Sequence, residues 1–323
     1  MISVAICTYN NAARLAVALQ SLSEMVYPPG LEYEILAIDN NSRDETKQIV
    51  ESYAHIWGPR LRYIFESNQG LSHARNRAMR EAAGDVVSYI DDDIKADPQW
   101  LSAIDAAFRK YATAAVVGGR SYLVFPSNPP AWFSERCEMF LSRLDYGDQP
   151  IVNIDRDLFG VNFSVRKEWL QRVGGFDTSL GRCGRSLMSG EESDLLKRIR
   201  ARGGIAVYEP AAVVGHIVPP ERMHLRWFLR RFYFAGRDGV TLAVKDGLPV
   251  SSLGQTAIHA VRCAGSIFKS LVFGQWSSKI LVDKIVVTAG ALGRLEGRVR
   301  LALGSRRRGR VGKSAESREP SVP

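Results

Sequence analysis

Short apolar runs alternate with segments of helical period through the first third of the chain, an alternation that predicts βαβ units around a largely parallel sheet. Strands are expected over 2–6, 33–38, 61–65 and 86–90, where Val, Ile, Leu, Tyr and Phe gather between polar breaks. Helices are expected between them over 14–22, 43–53 and 72–83, the second opened by Ser42 with Glu45 in capping-box spacing and the third closed by Gly84. Asp97-Pro98 supplies a cap and a first-turn proline for a helix over 99–110.

From about Gly118 to Pro150 the periodicity loosens into Pro- and aromatic-rich sequence, read as a long excursion over one sheet face. Regular signals return at Asn162-Phe163-Ser164-Val165-Arg166 and Gly174-Gly175-Phe176-Asp177. They continue in a helix from Glu191 or Glu192 to about Arg202, then in strand-like runs over 206–208 and 213–216. Beyond Glu221 the chain turns helical, with Trp227, Phe228, Phe232, Tyr233 and Phe234 interleaved with Arg222, Arg226, Arg230 and Arg231. The expected organisation is an α/β domain over 1–220, a helical region over 221–304 and a disordered basic tail over 305–323.

Composition adds limits to this picture. With 323 residues, 46% hydrophobic and 24% charged, the chain is neither fibrous nor disordered as a whole. The net charge is +9, and residues 294–323 hold nine Lys/Arg against three Asp/Glu, so most of the excess lies in the tail and little on the body. Nucleic acid is therefore not an expected partner, whereas an anionic membrane surface is a candidate for the tail and for the Arg/aromatic helices. Cys7, Cys137, Cys183 and Cys263 lie far apart without a CxxC pair, which excludes a zinc cluster by spacing and fits a reducing, cytoplasmic setting. Residues 1–7 enter a strand directly, so no secretory leader is expected. The best apolar run, 280–292, is short and carries Asp283 and Lys284, so no membrane span is expected either.

In a parallel sheet, ligands collect beyond the carboxyl ends of the strands, and four polar clusters fall there. They are Thr8-Tyr9-Asn10, Asp39-Asn40-Asn41-Ser42, Ser67-Asn68-Gln69-Gly70 and Asp91-Asp92-Asp93. Each alone reads equally as turn chemistry. Asp91 and Asp93, at alternate positions, can converge on one point, and crowded carboxylates favour a hard cation such as Mg²⁺ or Mn²⁺ that also holds a diphosphate. Asp39, Thr8 and Asn10 are candidates for base and ribose, and Arg75 for phosphate. Gly70 lets the backbone of its loop approach a ligand. Glu191-Glu192-Ser193-Asp194 opens a helix, where acids suit the dipole and where Ser189 and Glu192 have capping-box spacing; the functional alternative is a general base. His216 ends a strand-like run and reads as either a structural histidine or a ligand.

Taken in order, Ala5-Ile6-Cys7-Thr8-Tyr9-Asn10, Ile38-Asp39-Asn40-Asn41-Ser42 with Asp44 and Thr46, and Asn68-Gln69-Gly70-Leu71-Ser72 with Ala74-Arg75-Asn76 form one ordered set. With Asp91-Asp92-Asp93, Gly160-Val161-Asn162-Phe163-Ser164, Gly174-Gly175-Phe176-Asp177 and Gly190-Glu191-Glu192-Ser193-Asp194-Leu195, it resembles the family 2 glycosyltransferases of GT-A fold over residues 1–240. The resemblance implies a Rossmann-like α/β fold with a mixed, mainly parallel sheet and a helical extension. It implies inverting transfer of a sugar from a nucleoside diphosphate, UDP first, to a hydroxyl of a glycan or lipid-linked acceptor. It assigns the nucleotide to Thr8, Tyr9, Asn10, Asp39, Asn41, Asn68, Gly70, Arg75, Asp91 and Asp92, and the metal to Asp93, Asp91 and His216. It places Asn162 near donor sugar or acceptor. The family's base lies in a Gly-Glu-Asp motif; here Glu192 stands at the Asp position and is favoured, with Glu191 and Asp194 as alternatives. A sugar nucleotidyltransferase is the competing enzyme, but no Gly-rich basic signature follows the first strand. A non-catalytic scaffold competes from another class.

Overall fold

The computed structural model describes the backbone of residues 1–184, 188–272 and 277–315 and the side chains through 303. The chain divides into two compact units, one of residues 1–128 and 135–220, the other of 129–134 and 221–323.

The first unit opens with β1 (Ile2–Thr8), α1 (Ala12–Ser23), β2 (Tyr33–Asp39), α2 (Thr46–Ser52), α3 (Ala54–Trp57), β3 (Leu61–Phe65), α4 (Leu71–Glu81), β4 (Val86–Asp91), β5 (Ile94–Ala96) and α5 (Trp100–Lys110). It continues with β6 (Ala114–Val124), α6 (Glu135–Met139), β7 (Ile151–Val152), β8 (Asn162–Arg166), α7 (Lys167–Val173), α8 (Glu191–Arg200) and β9 (Ile205–Ile217). Among the described residues one sheet runs β3-β2-β1-β4-β8-β6-β9-β5, with β7 also on β9. β1, β2, β3 and β4 pair in parallel, as do β6 and β9, whereas β8 runs antiparallel to both β4 and β6.

β1 and β2 are apolar and buried almost throughout, because helices cover both faces of the sheet. Leu15, Leu19 and Leu22 of α1 join Trp100, Leu101 and Ile104 of α5 in one core layer. Ala74 and Ala78 of α4 join Leu195, Leu196 and Ile199 of α8 in the other. Each such Leu or Ile stabilises the fold by about 1.5–3 kcal/mol relative to its exposed state. The two layers hold the β-strand ends, and therefore the site, on a rigid platform.

Four local expectations differ from the structure. The helix expected over 43–53 begins at Thr46 and breaks after Ser52, and its N-cap Glu45 makes no side-chain cap bond. Asp44 does that work: its Oδ1 accepts from the Thr46 amide, while Ser42 Oγ accepts from the Asn10 amide and so ties two strand-end loops together. The helix α8 has Gly190, φ 104°, as its N-cap and runs from Glu191 to Arg200, one residue later than a Ser189 cap would place it. The loosening expected at Gly118 starts later, since β6 runs to Val124. The two short runs over 206–208 and 213–216 are one strand, β9, whose pairing with β6 shifts register between Gly119 and Arg120.

The second unit is helical: α9 (Leu225–Lys245), α10 (Leu253–Val272) and α11 (Ser278–Ala315). Phe228 is fully buried, with the rings of Trp132, Phe133 and Trp227 at 5.8, 5.9 and 4.9 Å. Glycines set the approach of α9 and α11: a Cβ on Gly293 would lie 1.9 Å from the Tyr233 carbonyl oxygen, and one on Gly236 would lie 2.0 Å from that of Gly290. α11 runs into the stretch expected as a basic tail, of which residues 316–323 lie outside the described residues. Among the described residues no helix is long and apolar enough to cross a membrane.

Candidate active site

The four polar clusters meet beyond the carboxyl ends of β1, β2, β3 and β4, where the order of the strands reverses on either side of β1. Asp39, buried at the end of β2, accepts from the Ser42 amide at 2.8 Å and from the Tyr63 hydroxyl at 2.6 Å, which leaves lone pairs on both oxygens for a ligand donor. Asn10 and Asn41 adopt positive φ (48° and 68°), the left-handed geometry that Asn tolerates in tight turns. Asn10 Oδ1 accepts from the Arg43 amide, and Tyr9 is exposed beside it. Asn40 pins the third cluster: its Nδ2 donates to the Asn68 carbonyl and its Oδ1 accepts from the Gly70 amide at 2.7 Å. Gly70 holds φ 139°, beyond the reach of an ordinary side chain.

The three aspartates separate after β4. Asp91 turns to Arg75, 3.6 Å away. Asp92 accepts from Asn11 Nδ2 at 2.7 Å, with the buried Thr8 side chain close by. Asp93 faces His216, with Oδ1 3.3 Å from Nε2, and both side chains are buried. His216 Nδ1 lies 2.6 Å from the Leu141 carbonyl oxygen, which can only accept, so Nδ1 carries a proton and Nε2 is the ring nitrogen that faces Asp93. Burial and the neighbouring Asp93 charge push Asp92 up to about 7, and burial also raises Asp91 against the pull of Arg75. A cation would relieve that crowding.

Asp93 and His216 are the side chains that could hold a divalent ion, and a diphosphate and water would complete its coordination; the imidazole suits Mn²⁺ better than Mg²⁺. Among the described residues no group of three or more His, Cys, Asp or Glu side chains forms a closed metal cage.

Arg75, on α4 and almost wholly buried, organises the other half of the site. Its Nη1 donates to Glu191 Oε1 and to Glu192 Oε1, each at 2.9 Å, and its guanidinium lies 5.4 Å from the Phe176 ring centroid. The sequence reading made Arg75 a phosphate arm; the structure instead commits it to three carboxylates. Gly160 packs directly on the pair: a Cβ there would lie 2.1 Å from both Arg75 Nη2 and Glu192 Oε1.

The two glutamates are driven apart in acidity. Burial and the Glu192 charge raise Glu191 to about 8, against the pull of Arg75, and its Oε2 is buried with no partner. Burial also acts on Glu192, but Arg75 and its hydrogen bonds outweigh it and hold Glu192 below the usual carboxylate range. Burial thus favours a proton on Glu191 while Arg75 favours the ionised form of Glu192, a divergence of the kind seen in acid–base pairs. Asp194, the third candidate, is taken by Arg198 at 2.7 Å, whose other nitrogens donate to the carbonyls of Val173 and Gly175. It braces the glycine turn.

Asn162 is also corrected. It is buried, its Oδ1 accepts from Trp100 Nε1, and its Nδ2 donates to the carbonyls of Arg120 and Ala212. Both amide donors are used on β6 and β9, at the register shift between them, and the oxygen accepts from α5. Three residues absent from the sequence reading belong to the site: Asn11 on Asp92, Tyr63 on Asp39, and Arg182, whose charge acts on Asp91. Asn11 continues an Asn run that marked it; Tyr63 and Arg182 reach their partners only through the fold.

The chain is similar in sequence and in fold to known proteins. Residues 3–174 match the model of glycosyl transferase family 2. The chain belongs to that family, and is a glycosyltransferase. It is 25% identical over 238 residues to the glucosyl-dolichyl phosphate glucuronosyltransferase of Haloferax volcanii, covering 73% of this chain and 75% of that one. It is 27% identical over 246 residues to the succinoglycan biosynthesis protein ExoM of Rhizobium meliloti, covering 76% of each. Among solved structures it is similar to a mannosyltransferase from Pyrobaculum calidifontis in complex with GDP-Man and Mn²⁺, with TM-score 0.59 and 20% identity over 91% of this chain and 86% of that one. That likeness establishes the GT-A fold.

Proposed function

We propose that the chain transfers a sugar, with inversion, from a nucleoside diphosphate to a hydroxyl of a glycan or lipid-linked acceptor in cell-envelope or exported glycan synthesis. UDP is the nucleotide expected first. The observation that carries the reading is the Arg75-centred pair, in which one guanidinium nitrogen donates to both Glu191 and Glu192 at 2.9 Å. In one displacement the acceptor hydroxyl attacks the anomeric carbon from the face opposite the diphosphate, and Glu192 takes its proton. Arg75 orients Glu192 and keeps it ionised, ready to accept a proton. Asp39, Thr8 and the loops of Asn10, Asn41, Asn68 and Gly70 offer polar groups to base and ribose. Arg182 is the cation suited to the diphosphate.

Asp93 and His216, with Asp91 beside them, would hold Mg²⁺ or Mn²⁺. When bound, the ion supplies charge neutralisation to the leaving diphosphate. The test is calorimetric titration with UDP, GDP and dTDP, with and without Mn²⁺, repeated on Asp93→Ala. Metal-dependent binding of one nucleotide, lost in the variant, is expected. Failure of every nucleotide to bind would replace this reading with a scaffold role.

A membrane-surface location is supported by α10. Ile258, Val261, Phe268 and Val272 are 54, 73, 69 and 57% exposed and, at spacings of three, seven and four residues, share one face of the helix. Arg262 and Lys269 flank that face, and α10 contains no Asp or Glu. A second copy packed symmetrically on the stripe would set cation against cation, whereas anionic lipid complements both. We place the protein peripherally on the cytoplasmic face of a membrane. Flotation with phosphatidylcholine vesicles, with and without phosphatidylglycerol, should show binding to the anionic set that Val261→Asp/Phe268→Asp abolishes. Binding equal in the variant would reject α10.

A further inference from the structure

The helical unit forms an open-sided pocket of about 360 Å³ between α9, α10 and α11, within the size range of ligand pockets. Its floor and roof present two guanidiniums, Arg294 and Arg298, and the imidazole of His259, with Gln255 and Thr256 alongside; no Asp or Glu lines it. Arg294 Nη2 lies 3.1 Å from His259 Nε2. Since a guanidinium only donates, that ring nitrogen accepts and the proton sits on Nδ1. Arg298 makes no hydrogen bond or ion pair among the described residues, and its Nε is buried. Two neighbouring cations held without a counter-ion are unfavourable in a partly desolvated site, and a bound anion removes that cost.

We infer that this cavity binds a phosphate ester, with Arg298, Arg294 and His259 as its anion-recognising groups. Guanidiniums match phosphate oxygens in paired, planar hydrogen bonds, and imidazole Nδ1–H adds a third direction suited to a tetrahedral anion. The volume exceeds that of phosphate alone. The organic part of the ester has an apolar wall in Val240, Pro249 and Val250, and open space at Gly239, where an added Cβ would meet nothing within 4 Å. The site lies wholly in the second unit and is independent of the donor reading above.

The test uses the full chain carrying Asp93→Ala, in EDTA, so that the donor site does not contribute. It is titrated calorimetrically at constant ionic strength with inorganic phosphate, with monomeric dihexanoyl phosphatidic acid and with glucuronate as a carboxylate probe. Saturable phosphate binding is expected, weakened at least tenfold by Arg298→Gln. Gly239→Leu fills the cavity and leaves the cations in place, and it should block the phosphatidic acid more than the phosphate. Thermal melting checks that each variant is folded. Phosphatidic acid binding more than tenfold tighter than phosphate identifies a lipid headgroup as the source, and equal binding a soluble phosphate. Phosphate binding that is absent, or unchanged in folded Arg298→Gln, or matched by glucuronate, overturns the inference.

Discussion

The two units bury their interiors by different physics. In the first, side chains from helices on both faces interlock over a sheet whose strands are themselves apolar, and polar groups are exiled to the strand ends. In the second, α9 meets α11 through glycines at almost backbone contact, and the apolar residues displaced from that seam stand outward on α10 or around a cavity. The first arrangement gives a platform on which one buried arginine holds two carboxylates side by side. The second gives close helix crossings and leaves surface and space for something else to occupy.

The strongest way to sharpen this contrast is at Glu192. Glu192→Gln should lower transfer by roughly 10²–10⁴-fold while nucleotide affinity stays within a few-fold, because only proton removal is lost. Single-turnover transfer with the identified donor measures it. Gly160→Ala should follow, since its Cβ would overlap Arg75 and Glu192; we expect a loss of about 1–3 kcal/mol in stability and a fall in turnover without a change in fold, read by thermal melting and steady-state kinetics.

In the second unit, Gly293→Ala should break the α9–α11 seam at a cost of about 1–3 kcal/mol while nucleotide binding by the first unit persists. Simultaneous loss of both would mean the units fold as one. A separate effect is on pH dependence. Glu191 has a folded value raised from 4.5 to about 8, so its contribution to stability is fully present below about 4.5 and is lost as pH rises towards 8. Glu192 has a depressed value, so its contribution is present above the ordinary carboxylate range and is lost on acidification through the lower, folded value. Denaturant unfolding between pH 5 and 8 should show the Glu191 slope, and Glu191→Gln should remove it.

The strands and most helices of the first unit were legible because periodicity and burial agree there. Residues 33–38 and 61–65 are apolar runs between breakers and needed no distant partner to declare themselves. Caps were less legible: Ser42 and Ser189 had the right spacing, yet Ser42 is used between loops and Gly190 opens α8 without a side-chain cap bond. Asn162 had the right motif neighbours and the wrong expectation, because an amide's two donors are assigned by whatever the sheet brings to them, here two carbonyls from other strands.

The chain's own order of residues determined that polar clusters would follow the buried strands of a parallel sheet, and which residue types would stand there. That follows from local rules, since strand length, burial and turn chemistry are all written within a few residues. Choosing among Glu191, Glu192 and Asp194 needed the tertiary structure. Arg75 lies 116 and 117 residues from the two glutamates it holds, while Arg198, one turn beyond Asp194, withdraws that acid from the choice. Protonation depends on burial and on neighbours in space, and neither is a property of sequence distance.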